Sequence, residues 1–205
     1  MKKVIFDTDI GIDDAMALLF LHHAPDVDLI AITTGFGNAS VSDTTRNALY
    51  MKERFNMSAA VYAGAATPVG SALGEGYADF VHGKNGLGDI PLTAPMCEAE
   101  AMPAAEAIVE LVRANPNALS FVAVGRMTNL ATALALDPEL PSLIKELVVM
   151  GGVFGYNGHR GNVSPVAEAN IAGDPLAADR VFTSGIPTTI VGLDVTAETV
   201  MNDAY

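Results

Sequence analysis

The sequence predicts an α/β fold, a mostly parallel open sheet with helices on both faces. Short runs that are apolar throughout alternate with helical stretches almost from end to end, the pattern of strands covered on both sides. The chain has 205 residues, 50% of them hydrophobic, which suits one domain with a real core. Ala15 through Leu21 are apolar all round, so the first helix is expected to be buried.

Taken in order, Val4–Phe6 reads as a strand that stops at a charged residue, and Asp14 to about His23 as a helix. Leu29–Thr34 is the next apolar strand, followed by a helix from Val41 to about Phe55. A helix near Pro103–Ala114 leads to a strand at Ser120–Val124 and a helix at Asn129–Leu136. The strand Glu146–Met150, the helix Pro175–Thr183 and the strand Thr188–Val191 complete the alternation. The sheet is therefore expected to be Rossmann-like. The glycine-rich stretch Gly64 to Gly88 is the expected mobile region, and no internal repeat, low-complexity tract or clear linker interrupts the chain.

The formal net charge is −13, which argues against a nucleic-acid-binding surface because phosphate contacts need clustered Lys and Arg. Solubility is the ordinary reading of that acidity. No apolar run is long enough to span a membrane. Met1-Lys2-Lys3 opens an apolar stretch that is cut at Asp7, so no secretory signal is expected. Cys97 is the one cysteine, which excludes an internal disulfide and a cysteine-based zinc site. A reducing cytoplasm fits, with Cys97 as a spectator.

Ligands of open α/β sheets bind beyond the carboxyl ends of the strands. Four unusual segments follow strands here: Asp7 to Asp14, Gly35-Phe36-Gly37-Asn38, Gly125 to Asn129, and Gly151 to Asn170. The first is the most informative, with Asp7, Asp9, Asp13 and Asp14 lying between a strand and a helix. One Asp at a helix start is read first as a cap that also complements the helix dipole. Capping uses one or two carboxylates, not four. A bound hard cation with oxygen ligands offsets the repulsion, and calcium, which accepts mixed carboxylate, carbonyl and water oxygens, fits better than magnesium. Water held by such a metal and a further carboxylate can be deprotonated for attack, so hydrolysis is the expected reaction class.

Asp7-Thr8-Asp9-Ile10-Gly11-Ile12-Asp13-Asp14 resembles the N-terminal signature of the inosine-uridine-preferring nucleoside hydrolases, which often have proline at the Ile10 position. Further segments are similar in the same order: Gly37-Asn38 with Thr45-Arg46-Asn47-Ala48, and His82-Gly83 with Gly86-Leu87-Gly88. Val124-Gly125-Arg126-Met127-Thr128-Asn129 resembles a turn that normally reads Thr-Gly-Pro-Leu-Thr-Asn. Met150-Gly151-Gly152 and Gly161-Asn162-Val163-Ser164-Pro165-Val166-Ala167-Glu168-Ala169-Asn170 resemble the ribose-recognition segment.

The resemblance implies calcium-dependent hydrolysis of ribonucleosides to base and ribose, in purine and pyrimidine salvage. It implies Asp9, Asp14 and the backbone carbonyl of Val124 as calcium ligands, with Asp9 also taking the proton from the attacking water. Asp13 would bind a ribose hydroxyl, with Asn38 in the same pocket. Asn162, Glu168 and Asn170 would grip the sugar, Met150 would line the ribose face, and His82 would lie near the base on a closing loop. Cleavage passes through an oxocarbenium-like sugar, which a carboxylate-rich pocket stabilises. A small-molecule ribonucleoside is the implied partner, with a homo-oligomer as the expected assembly.

Family members continue well past the point matching Gly192-Leu193-Asp194-Val195-Thr196, where a His-Asp pair usually completes the metal site and supplies an acid. The resemblance thus describes residues 1–205 as a single nucleoside hydrolase-like domain truncated at its C-terminus, with a helix opening after Thr196. Exposed apolar surface, and with it marginal stability or oligomerisation, is the expectation. His22, His23 and His159 are poor substitutes for the missing acid. Two other functions compete with hydrolysis. One is a catalytically impaired nucleoside- or ribose-binding fragment. The other is a haloacid-dehalogenase-type phosphohydrolase with Asp7 as nucleophile, a scheme that leaves Asp13 and Asp14 without a role.

Overall fold

The central strand organises the molecule. In the computed structural model, which describes residues 1–71 and 76–200, β1 spans Lys2–Thr8 and pairs in parallel with β2 (Val27–Thr34) on one side and β4 (Leu119–Ala123) on the other. β3 (Ala60–Ala63) lies outside β2, while β5 (Glu146–Met150) and β6 (Thr188–Val191) continue beyond β4. The order is β3-β2-β1-β4-β5-β6, and every pairing is parallel.

Alternation along β1 sends side chains to two separate cores. Val4 and Phe6 join Ile32 and Val61 under α1 (Ile12–His23) and α2 (Val41–Arg54), whose Leu18, Ala48 and Met51 fill that side. Ile5 joins Phe121 and Leu147 on the other face. There α4 (Ala104–Ala114), α5 (Thr128–Leu136) and α7 (Pro175–Phe182) supply Ile108, Leu130 and Val181. The predicted sheet with helices on both faces is thus observed.

Strand order reverses between β2-β1 and β1-β4, since the crossovers leave β1 and β4 in opposite directions. That reversal opens a crevice beyond the carboxyl ends of β1 and β4. Residues 7–14 and 124–129 are the segments that border it.

Several expectations change. α1 is not buried all round: Leu18 is fully buried, but Ile12, Met16 and Phe20 are 46%, 48% and 75% exposed. These three recur every fourth residue, so they form the stripe of the helix that faces away from the sheet. β3 was not anticipated, nor were the short helices α3 (Asp79–His82), α6 (Ala169–Gly173) and α8 (Leu193–Thr196). The helix expected after Thr196 instead ends there, and residues 201–205 lie outside the described residues.

Within Gly64–Gly88, residues 72–75 also lie outside the described residues. The remainder holds α3 and a turn knitted around Asn85, whose side chain donates to Ile90 O and accepts from Leu87 N and Asp89 N. Arg46 and Asn47 of α2 both donate to Asn85 O. No helix among the described residues is long and apolar enough to cross a membrane.

Candidate functional site

Asp7 is the last carboxylate inside the sheet and is 1% exposed. Its Oδ1 accepts from Thr33 Oγ1 of β2 at 2.5 Å and from Asn129 Nδ2 of α5 at 2.8 Å. Burial pushes its carboxyl up to about 6, against the pull of those two donors. Enclosed in this way, Asp7 braces the ends of β1, β2 and α5. It offers no accessible oxygen for the nucleophilic role of the phosphohydrolase alternative.

Asp9 and Asp14 turn into the crevice, at 2% and 5% exposed. One residue clamps both. The backbone N–H of Asn38 donates to Asp9 Oδ2 at 2.8 Å, and the side-chain Nδ2 of Asn38 donates to Asp14 Oδ2 at 2.9 Å. Gly11 N also donates to Asp14 Oδ2 at 2.7 Å, so Asp14 caps the start of α1 as well as lining the site.

Asp9 Oδ1 is buried and has no hydrogen-bond partner. Glycines make room for this carboxylate on two sides. A Cβ on Gly37 would lie 1.8 Å from Asp9 Oδ2, and one on Gly125 2.8 Å from Asp9 Oδ1. Burial raises Asp9 to about 7, eased by the Asn38 N–H and the Arg126 charge. Asp14 is raised well above the usual carboxylate range, first by burial and then by the charges of Asp9 and Asp13. Two buried carboxylates, one with an unsatisfied oxygen, are a donor set suited to a hard cation.

Asp13 points outward, with its side chain 84% exposed, at the rim. His82 lies beside it, its Nδ1 3.9 Å from Asp13 Oδ1. The same Nδ1 accepts from Ile12 N at 3.2 Å, which requires the unprotonated nitrogen. The hydrogen bond is the better description, because burial holds His82 below the usual histidine range despite the attraction of Asp13. A Cβ on Gly11 would meet both Asn38 Nδ2 (2.5 Å) and His82 Nδ1 (2.7 Å), so this position admits only the bare backbone.

A second cluster lies at the ends of β4 and β5. Asn170 Nδ2 donates to Val124 O at 2.8 Å and Met150 O at 3.1 Å, and lies 3.4 Å from Met150 Sδ. Glu168, 3% exposed, caps α6 by accepting from Asn170 N and Ile171 N, and also accepts from Gly152 N at 2.8 Å. Asn162 accepts from Ala169 N at 2.9 Å on an exposed loop. The structure therefore gathers Asp9, Asp14, Asn38 and His82 in one group, and Val124, Met150, Glu168 and Asn170 in another. Gly125, pressed against Asp9, joins the two. His159 lies elsewhere, paired with Glu198 at 2.8 Å.

Three participants escaped sequence reasoning. Thr33 and Asn129 hold Asp7, and Arg126 lies over the ring of Phe36 with its guanidinium carbon 4.5 Å from the centroid. An arginine in the Val124–Asn129 turn, where the resemblance expects proline, was the available signal for the last. Among the described residues, no group of three or more His, Cys, Asp or Glu side chains is arranged to hold a metal.

A family model described as inosine-uridine preferring nucleoside hydrolase matches residues 4–205. Uridine nucleosidase 1 of Arabidopsis thaliana is 43% identical over 203 residues, covering 98% of this chain and 59% of that protein. A solved plant nucleoside hydrolase is 40% identical with a TM-score of 0.92, over 97% of this chain and 62% of its own. A purine-preferring ribonucleoside hydrolase from Gardnerella vaginalis is 37% identical with a TM-score of 0.93, over 98% of this chain and 63% of its own. The chain spans less than two thirds of the length of each of these three.

Proposed function

The chain belongs to the inosine-uridine preferring nucleoside hydrolase family, and from that premise we propose that it hydrolyses the N-glycosidic bond of ribonucleosides, releasing base and ribose with calcium as cofactor. The observation that carries this reading is the buried Asp9–Asp14 pair, clamped by Asn38 and holding one unsatisfied oxygen, Asp9 Oδ1.

Asp9 and Asp14 would hold the cation through carboxylate oxygen, with Val124 O as the backbone donor. Val124 O already accepts from Asn170 Nδ2, and a carbonyl keeps a second lone pair for this purpose. When bound, calcium offsets the carboxylate charges and acidifies an attacking water. Asp9 takes the proton from that water. Asp13, exposed at the rim, receives a ribose hydroxyl, and so do the amides of Asn162 and Asn170. Glu168 and Met150 keep Asn170 in place on the ribose side. The negative pocket stabilises the oxocarbenium-like sugar as the base departs. His82, at the rim beside Asp13, faces the base.

Incubation with inosine, uridine and a ribosyl p-nitrophenol substrate, with and without calcium, tests the proposal. Ribose release that needs calcium and is abolished by Asp9→Ala is the expected result. Absence of release from all three substrates in calcium would overturn it. A second reading is nucleoside binding without turnover; among the described residues two carboxylates, Asp9 and Asp14, converge through Asn38. Saturable binding of inosine or uridine without ribose release would select it. The two relatives named for uridine and for purines differ in base, so the substrate panel also ranks base preference. Homo-oligomerisation in the cytoplasm completes the proposal, and the exposed stripe of Ile12, Met16 and Phe20 supports assembly. Sizing by light scattering tests that part.

A further inference from the structure

We propose that Asn47 is a positioning residue for His82, tying the turn after this histidine to the acidic turn that follows β1. The placement stands on geometry alone. Its value for substrate rests on the reading above that His82 faces the base.

The element that carries His82 has little packing of its own. α3 has no buried residue, and its Phe80 and Val81 are 91% and 54% exposed. What fixes the histidine is the turn that follows it. Gly88 N donates to His82 O at 2.7 Å and Gly86 N to Gly83 O at 3.2 Å, so this turn folds back on the end of α3. Leu87, 7% exposed, joins the core that also holds Ile10 and Ala48.

Asn47 of α2 meets that turn while fully buried, and its whole amide is engaged. Oδ1 accepts from Arg46 Nη2 at 3.0 Å. Nδ2 donates to Asn85 O at 2.8 Å and to Ile10 O at 3.4 Å. One amide therefore touches both the turn after His82 and the turn that carries Asp9 and Asp14. The two turns meet a second time where Ile12 N donates to His82 Nδ1 at 3.2 Å. Ile10 and Ile12 flank Gly11, so these contacts close a ring that begins and ends at Asn47.

Gly86 shows how close this packing is. Its φ is +82°, and a Cβ there would lie 2.9 Å from Asn47 Nδ2 and 3.2 Å from Ile10 O. The turn reaches both groups only with bare backbone at this position. Arg46 Nη2 is a second donor to Asn85 O at 3.1 Å, and its Nη1 is paired with Asp43 Oδ1 at 2.7 Å. Of the two donors, Asn47 is the one that also bonds Ile10 O. Its loss therefore opens the ring even where Arg46 stays in place.

The test pairs amide hydrogen exchange with kinetics on Asn47→Leu, His82→Ala and the double variant. Ile12 is the first residue of α1, so its N–H has no partner within the helix and its protection reports the His82 contact. The expected result is faster exchange at Ile12 in Asn47→Leu, matching His82→Ala, with no further acceleration in the double variant. The amide of Phe6 in β1 should stay protected, which a general loss of stability would not allow. KM for inosine and uridine should rise about 5-fold, the order of one hydrogen bond, with kcat little changed. In the His82→Ala background Asn47→Leu should add no further rise. Gly86→Ala, which forces the turn off Asn47, serves as the second variant should Asn47→Leu not fold. Native exchange at Ile12 in a folded Asn47→Leu protein, or a KM rise of equal size with and without His82, overturns the proposal. If His82→Ala itself leaves KM native, or the chain releases no ribose, the base-facing reading fails and exchange at Ile12 alone decides the placement.

Discussion

Asn38 donates its side-chain amide to Asp14 Oδ2 at 2.9 Å, and its backbone N–H reaches Asp9 Oδ2 at 2.8 Å, so one residue from the β2–α2 turn sets the spacing of both carboxylates. Only the first of these bonds depends on the side chain. Asn38→Ala should therefore loosen Asp14 while leaving the Asp9 contact in place. A hydrogen bond to a charged group contributes about 2 kcal/mol, so we expect a fall in Tm of several degrees. Calcium affinity should drop about 10-fold, which corresponds to the same order of energy. Asn38→Asp should be worse in EDTA, because it adds a third charge, and should be rescued by calcium. Melts and calorimetric titrations check both; an Asn38→Ala protein with native calcium affinity would remove Asn38 from the site.

The metal-free protein should gain stability as the pH is lowered from 8 to 6. Asp9 is raised to about 7 and Asp7 to about 6, and Asp14 is raised well above the usual carboxylate range, all chiefly by burial. A carboxyl whose folded pKa exceeds its unfolded value takes up a proton more readily when folded. Its contribution is fully present below the unfolded value and is lost as the pH rises through the folded one. His82, held below its usual range, works in the opposite direction, but its effect grows only as the pH falls toward and below the ordinary histidine value. Asp137 and Glu53, both lowered by their hydrogen bonds, lose their contributions under more acidic conditions than this window. Tm in EDTA should rise by about 5 °C from pH 8 to 6, and saturating calcium should flatten or invert the trend. A metal-free Tm that falls steadily across that interval would contradict the burial of these groups.

The sheet was legible because strands such as Glu146–Met150 are apolar beyond their first residue, and the observed bounds coincide with those expected. Ala60–Ala63 was not, since a four-residue run with two alanines carries little strand preference and becomes β3 only by pairing with β2. The acidic run identified the site, but spacing alone does not say which carboxylate turns inward. Neighbouring helical residues differ by about 100° in direction, and this difference buries Asp14 while leaving Asp13 in solvent. Sequence also cannot tell which stripe of an apolar helix meets the sheet, so the exposure of Met16 and Phe20 had to be seen. The setting of Arg126 was hidden for a different reason: Phe36 and Gly173, which hold it, are distant in the chain.

Glu168 was expected to grip sugar hydroxyls, yet both of its oxygens accept backbone N–H groups, from Asn170 on one side and from Gly152 and Ile171 on the other. Glu168→Gln keeps the shape but turns an amide NH2 toward at least one of those donors. The cost should be about 1–3 kcal/mol, visible as a lower Tm with no nucleoside present. KM should rise in parallel, because α6 carries Asn170. A variant with native Tm but a raised KM would return Glu168 to a purely sugar-binding role.

Gly37→Ala should be among the most damaging small substitutions in the chain. The added Cβ would sit 1.8 Å from Asp9 Oδ2, far inside any tolerable contact. Asp9 cannot yield without losing a bond, because its Oδ2 is held by Asn38 N at 2.8 Å. Overpacking of this kind costs about 1–3 kcal/mol, and here the strain falls on the carboxylate proposed to take the proton from water. We expect a Tm loss of several degrees, calcium affinity reduced beyond that of Asn38→Ala, and ribose release at background level. Gly76→Ala, with no heavy atom of the described residues within 4 Å of the added Cβ, is the matched control and should leave all three readouts near native. Retention of native calcium binding by Gly37→Ala would mean that Asp9 is free to move, and the clamp formed by Asn38, Gly37 and Gly125 would then not set its position.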